Sequence, residues 1–383
     1  MNRRSASSSM KNTSVDPVTQ QELDIETYQV IQPDGSYNGD RIPNLSDEEF
    51  CDLYRWMRLQ RIYDSRATKL QRRGRLGTIA SGRGQEASIV GGGFALSIDD
   101  WIFPYGREAA ALLMHGLSMR DLLLYWRGVE DASRMRGANI FGLAISIGSH
   151  IPLATGKAWG MKLDDENRIA FANLGDGATS TGAFHEGINF AGVLGVPAIF
   201  FCQNNQYAIS LPFDEQTQAE TVAQKALAYG IEGIRVDGND VLAVYNAVSI
   251  ARERALTGTP VLVEAVTFRR GAHTTSDDPT RYRSGDEVDK WEARDPLERY
   301  QAFLEKTDLW DDIDEESLRE DVETEFSEAV EAADSFEERS LEEMFSYLYE
   351  QMPRECERQL GDFRKLLEKR PDMYSFIEQR PKG

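Results

Sequence analysis

The stretch IAFANLGDGATSTGAFHEGINFAGVLGVPAIFFCQNNQYAIS, residues 169–210, decides how this chain folds. Two short apolar runs, IAFANL and AIFFCQ, bracket a segment over Ala183–Leu194 whose apolar residues recur at helical spacing. A continuous apolar run of this length suits a strand buried on both faces, and strands separated by helices of this size must run parallel. The alternation continues with a helix near Ala219–Tyr229, a strand at IRV, a helix over Val241–Ala255 and a strand in VLVEAVTF. Glycines at 175, 230, 233, 238 and 258 punctuate the units, as turns of positive φ would. The fold class is therefore α/β: a parallel sheet flanked by helices, with extra helices at the N- and C-terminal ends.

Working outward, Ser46 with Glu49 reads as a capping box opening a helix that runs towards Arg72. The glycine-rich stretch from Gly74 to Gly93 has no clear period, whereas Ser118 to Arg127 is again helical. After Phe268 comes a polar loop, RRGAHTTSDDPTRYRSGDEVDKW, and loops of that length are functional or disordered. Acidic helices follow from Asp295, and residues 354–370 read as a last amphipathic helix. The expected organisation is a disordered tail over 1–24, an α/β domain over 25–310 with a mobile loop at about 269–290, and an acidic helical region over 311–383.

Composition narrows the partners. With 64 acidic and 43 basic residues, the chain carries a formal charge of −21, which argues against nucleic acid because like charge repels phosphate. No apolar run reaches the roughly 18 residues of a membrane span, so no membrane partner is expected. Ten of the basic residues are lysine, and an acid-rich, lysine-poor surface suits a protein kept soluble in concentrated salt, a halophilic expectation. Cys51, Cys202 and Cys356 are odd in number and far apart, which points to a reducing, cytoplasmic compartment rather than a disulfide framework. Arg3-Arg4 opens a serine-rich segment with no apolar stretch behind it, so a secretory or twin-arginine signal lacks its inserting part.

Gly175-Asp176-Gly177 follows the first strand directly, at the edge where open α/β sheets place their ligands. A bare Gly-Asp-Gly is most often a tight turn. The next strand raises its meaning, because it ends in Asn204-Asn205-Gln206-Tyr207, with the asparagines 28 and 29 residues after Asp176. A carboxylate oxygen, an amide oxygen and a main-chain carbonyl are hard ligands suited to magnesium, with phosphate oxygens and water completing the shell.

That spacing resembles the thiamine diphosphate motif of the 2-oxo acid dehydrogenase alpha subunits. GRLGTIASGRGQEAS at 74–88, residues 175–210, and HTTSDDPTRYRS at 273–284 resemble the pyruvate and branched-chain members in order, across about residues 45–370. The resemblance implies a thiamine-diphosphate-binding fold with Mg2+ held by the side chains of Asp176 and Asn205 and by the Tyr207 carbonyl. Gly175, Gly177 and Ala178 would line the diphosphate. Arg107 and Arg269 would hold it, a choice that bidentate guanidinium geometry favours, although each alone reads as a surface charge. Ile147 would wedge the cofactor into a bent conformation, core packing being its plainer reading. His273 would stand near the reacting carbon as the catalytic histidine, where an imidazole can give a proton or a hydrogen bond near neutral pH. His115, His150 and His185 have weaker claims.

One departure concerns Tyr105-Gly106, where relatives place the tyrosine second. The tyrosine contact to phosphate is either lost or supplied by Tyr105. Thr274 and Ser284 occupy positions phosphorylated in animal relatives, where a dianion would disturb the loop. The resemblance further implies a beta subunit supplying the activating glutamate, an assembly of two alpha and two beta chains, and a lipoyl-bearing acyltransferase component. The implied activity is oxidative decarboxylation of pyruvate or branched-chain 2-oxo acids; an acetoin dehydrogenase alpha subunit and a non-catalytic paralogue are the alternatives.

Overall fold

The computed structural model of the chain describes residues 25–371 apart from Arg136, Ala144, residues 337–341 and Tyr347. The expected tail over 1–24 lies outside the described residues. Eight strands are present among them: β1 (Thr27–Tyr28), β2 (Trp101–Phe103), β3 (Ala170–Gly175), β4 (Ala198–Asn204), β5 (Tyr207–Ala208), β6 (Leu211–Pro212), β7 (Glu232–Asp237) and β8 (Val261–Val266). Six form one sheet in the order β1-β7-β8-β4-β3-β2, and every pairing in it is parallel. The remaining two, β5 and β6, make a small antiparallel hairpin just beyond the end of β4.

The helices needed to place the site are α1 (Asp47–Arg72), α2 (Glu86–Phe94), α3 (Ala109–Met114), α4 (Met119–Trp126), α5 (His150–Leu163), α6 (Gly182–Leu194), α7 (Phe213–Gln216), α8 (Val241–Leu256), α9 (Gly285–Glu292), α10 (Pro296–Lys306) and α11 (Glu315–Asp334). A parallel sheet must be covered on both faces, and the side chains of β3, β4 and β8 alternate accordingly. Phe171, Ile199, Phe201, Val261 and Val263 face the core built with α1, α2 and α8. On the other face, Ala172, Phe200, Cys202 and Leu262 pack with Ile151 of α5 and Phe184 and Ile188 of α6. Phe200 and Phe201 are neighbours in sequence yet fully buried in opposite layers. Burying each such ring contributes about 1.5–3 kcal/mol, so the register of β4 is strongly held.

The local signals for the long helices hold. Ser46 and Glu49 exchange backbone and side-chain hydrogen bonds as a capping box at the start of α1. Thr181 caps α6, and Asp240 caps α8 while also accepting from the Val30 and Ile31 N–H groups. The C-terminal acidic region joins the same core: α11 buries Val322 and Phe326, and Phe326 packs edge-on to Tyr63 of α1 at 5.9 Å.

Several expectations are corrected. The helix expected near Ala219–Tyr229 is shorter, a 3-10 helix over Ala223–Tyr229. Positive φ occurs at Gly230 and Gly258 but not at Gly175, Gly233 or Gly238. At Gly233 and Gly238 the reason for glycine is close approach: an added Cβ would stand 2.5 Å from the Ala223 carbonyl oxygen and 2.6 Å from Ser88 Oγ, respectively. Helix α2 escaped the sequence reading because Gly91-Gly92-Gly93 hides its period, and Gly91 is where its backbone meets α8. The polar stretch after Phe268 also contains a regular element, α9, capped by Ser284.

The packing of α6 yields a test. A Cβ at Gly192 would lie 2.4 Å from the Tyr229 carbonyl oxygen, which is backbone and cannot swing away. Gly192→Ala is expected to destabilise the fold by about 1–3 kcal/mol, read as a lower urea midpoint with an unchanged slope.

Candidate active site

Because the strands run parallel, their carboxyl ends share one edge, and five separate stretches of sequence meet there. Tyr105 and Arg107 follow β2, Asp176 follows β3, Asn205 and Tyr207 follow β4, and Arg269 and His273 follow β8. The SGRGQ loop before α2, residues 81–85, is the fifth, contributing the Ser81 carbonyl and Gln85.

Arg107 and Arg269 are both buried, and their guanidinium groups converge on one atom. Nη2 of Arg107 lies 3.1 Å from His273 Nδ1, and Nη1 of Arg269 lies 3.2 Å from the same nitrogen. Arg107 also donates to the Ser81 carbonyl at 2.6 Å, and Arg269 to the Ile209 carbonyl at 2.6 Å and the Tyr282 hydroxyl at 2.9 Å. Among the described residues, neither arginine has a carboxylate within salt-bridge distance. Burying two cations side by side without a counter-ion is costly, so this arrangement is built for an anion.

The arginines also settle the state of His273. An imidazole nitrogen facing two guanidinium donors must accept, which leaves its proton on Nε2. Burial, then Arg107, then Arg269 hold the imidazole down to about 4, with Asp277 opposing them. Asp277 fixes the loop in turn, accepting from the His273 N–H at 2.7 Å and from the Tyr282 hydroxyl at 2.6 Å.

Asp176 is buried at the first turn after β3, where Gln216 of α7 donates to its Oδ2 at 2.7 Å. Burial raises its carboxyl above the ordinary value, against the lowering effects of the Gln216 bond and Arg269. Asn205 is buried too; its amide donates to Gln85 Oε1 at 3.1 Å, and its own oxygen faces the Tyr207 N–H at 3.4 Å. The Tyr207 carbonyl lies 3.4 Å from Arg269 Nη1. Between them Gln206 adopts φ 73°, a left-handed conformation that bends the chain sharply. Among the described residues no group of three or more His, Cys, Asp or Glu side chains stands together to hold a metal. The donors gathered here are instead one carboxylate, one amide and one carbonyl, a set of hard oxygens that fits Mg2+ shared with a diphosphate.

The remaining site residues fall as follows. The Tyr105 ring packs 3.5 Å from where a Cβ on Gly175 would be, and its hydroxyl is buried with no hydrogen-bond partner among the described residues. Gly177 is pressed against Ala208, whose Cβ would stand 2.9 Å from a side chain there, and Ala178 is buried. Ile147 is 50% exposed, so it is not the core residue its plainer reading suggested. The weaker histidines are structural: His115 and His150 bond the carbonyls of Asp100 and Asn173, and His185 bonds the Tyr229 hydroxyl. Sequence reasoning missed Gln216 and Ser81 as contacts; Gln216 lies in a four-residue helix with no periodic signal.

These observations set a pH expectation. Between pH 6.5 and about 4 the unfolded chain takes up a proton at residue 273 and the folded chain does not. His273 therefore stabilises the fold fully above 6.5, and that contribution is lost as pH falls through the window. His273→Gln is expected to flatten this part of the stability curve. An NMR titration of the wild-type imidazole with a midpoint near 6.5 would contradict the geometry.

A family profile described as "Dehydrogenase E1 component" matches residues 54–342. Relatives include proteins named pyruvate dehydrogenase E1 component subunit alpha. That of Staphylococcus epidermidis is 42% identical over 332 residues, covering 86% of this chain and 90% of the relative. That of Bacillus cereus is 43% identical over the same shares. The match takes in every strand from β2 to β8 and every residue gathered at their carboxyl edge, and the chain belongs to the dehydrogenase E1 component family.

Proposed function

We propose that this chain is the alpha subunit of the decarboxylating first component of a 2-oxo acid dehydrogenase complex, with pyruvate as substrate. The observation that carries the reading is the pair of buried arginines without carboxylate partners among the described residues, standing beside Asp176, Asn205 and the Tyr207 carbonyl. Arg107 and Arg269 hold the diphosphate of thiamine diphosphate, and Gly175, Gly177 and Ala178 let it approach the backbone. Asp176, Asn205 and the Tyr207 carbonyl hold Mg2+. The buried Tyr105 hydroxyl, without a hydrogen-bond partner among the described residues, supports a phosphate contact supplied one position earlier than in relatives.

When bound, thiamine diphosphate supplies the electron sink for decarboxylation of a 2-oxo acid. The chain's own residues orient it and exclude water. With Nδ1 turned to the arginines, His273 keeps Nε2–H as a donor for a substrate oxygen or the incoming lipoyl group. Ile147, half-exposed beside the turn at Gly148, serves as the apolar wedge.

The chain carries half of the active site. The activating glutamate comes from a beta chain, the assembly is two alpha and two beta chains, and a lipoyl-bearing acyltransferase receives the product. Large apolar side chains on the outer faces of α5 and α6, Leu153, Leu163, Phe190 and Val193, are exposed, which supports burial against a partner. No helix among the described residues is long and apolar enough to cross a membrane. A cytoplasmic setting and tolerance of concentrated salt complete the proposal, resting on the cysteine pattern and on the acidic excess.

Pyruvate is preferred over branched-chain 2-oxo acids and acetoin because the relatives carry pyruvate dehydrogenase names. A non-catalytic role is disfavoured by the complete anion and oxygen-donor sets. The purified chain is expected to decarboxylate pyruvate only when reconstituted with its beta partner; full turnover by the isolated chain would refute the division of labour. Asp176→Ala should abolish Mg2+-dependent binding of thiamine diphosphate in calorimetry, because the metal loses its only anionic protein ligand. An unchanged affinity would sink the metal assignment.

A further inference from the structure

The two turns proposed to carry Mg2+ come from different strands, and a ligand set split between them works only if the turns keep a fixed separation. The 3-10 helix Ala223–Tyr229 is tied to both, to the first directly and to the second through Glu264. Its Lys225 reaches the first turn: Nζ donates to Thr179 Oγ1 at 2.9 Å and to the Thr179 carbonyl at 3.3 Å, three residues past Asp176. Thr179 is buried, so its carbonyl has no access to water.

The same helix is tied to the second turn through Glu264 on β8, a carboxylate buried in the sheet. Glu264 Oε2 accepts from the Ala223 N–H at 3.1 Å, and Oε1 accepts from the Asn204 amide at 2.7 Å. Asn204 then holds the bend that follows it, because its side-chain oxygen accepts from the Gln206 N–H and side-chain amide, each at 3.2 Å. That bond stabilises the left-handed Gln206, which aims the Asn205 side chain and the Tyr207 carbonyl.

We propose that Lys225 and Glu264 are positioning residues that brace the Asp176 turn against the Asn204–Tyr207 turn, setting the spacing of the Mg2+ ligands. Neither touches the metal or the substrate. The brace rests on the metal assignment made above, and it adds to it a cross-strand support that no motif in the sequence marks. Thr179, Lys225, Ala223, Glu264, Asn204 and Gln206 form its chain, with the Thr179 contact as the one accessible to a clean substitution.

The test measures the Mg2+ concentration that gives half-maximal thiamine diphosphate binding, by calorimetry on the chain reconstituted with its beta partner. Lys225→Met is expected to raise that concentration roughly 10- to 100-fold, and Lys225→Arg, which keeps a cationic donor, to restore most of it. Thr179→Val removes only the receiving hydroxyl and should move the requirement in the same direction. The double variant should be no worse than the larger single effect, because both break one contact. Glu264→Gln, of the same shape, turns an acceptor towards a donor and should raise the requirement too. If wild type shows no Mg2+-dependent binding, the metal assignment falls and the brace with it. If wild type shows it and folded Lys225→Met and Thr179→Val keep the wild-type requirement, the brace alone is overturned. Should Lys225→Met not fold, Thr179→Val decides: a raised requirement supports the brace, and an unchanged one overturns it.

Discussion

Everything about the site depends on the parallel run of six strands. A parallel sheet gathers the carboxyl ends of its strands on one edge, and the connections back to the opposite edge are the helices that cover its faces. That single constraint brings residues 105, 176, 205 and 269 together although they are scattered over nearly half the chain. It also explains the burial of β3, β4 and β8 on both faces, since neither face is left to water. At that edge the backbone turns irregular, and the turn after β4 bends at Gln206 and Ile209 with positive φ.

The electrostatics of that edge are arranged in opposition to folding. Two buried guanidinium groups stand against one imidazole, and a buried carboxyl stands near them with its proton affinity raised by desolvation. Backbone carbonyls of Ser81, Tyr207 and Ile209 carry much of the load, each accepting from an arginine. Carbonyl dipoles orient a cation without neutralising it, so the arginines keep their charge for an anion. A carboxylate in the same place would have been a better structural partner and a poorer binding site.

The loop after β8 is held by the same economy of contacts. Asp277 joins the His273 backbone to Tyr282, and Tyr282 returns to Arg269. Beyond it, the Tyr207 hydroxyl donates to Glu287 of α9 at 2.7 Å, and Phe268 stacks on Trp291 at 5.4 Å. Tyr207 thus offers its carbonyl to the site and its side chain to the loop. Phosphate added at Thr274 would enter beside the His273 and Asp277 contacts, whereas Ser284 lies at the cap of α9.

The sequence by itself determined the alternation of strands and helices, the capping of α1, and the identity of most groups at the edge. Those features are local or periodic: burial on two faces forces apolar runs, a cap needs its serine and glutamate three residues apart, and Gly-Asp-Gly marks a turn. Tertiary structure decided what spacing along the chain does not encode. That Arg107 and Arg269 share one histidine nitrogen, that Tyr105 rests on Gly175, and that Lys225 reaches Thr179 are facts of approach between distant segments. It also decided why particular glycines stand where they do: Gly233 and Gly238 serve close contact rather than unusual φ, which only the neighbouring backbone reveals.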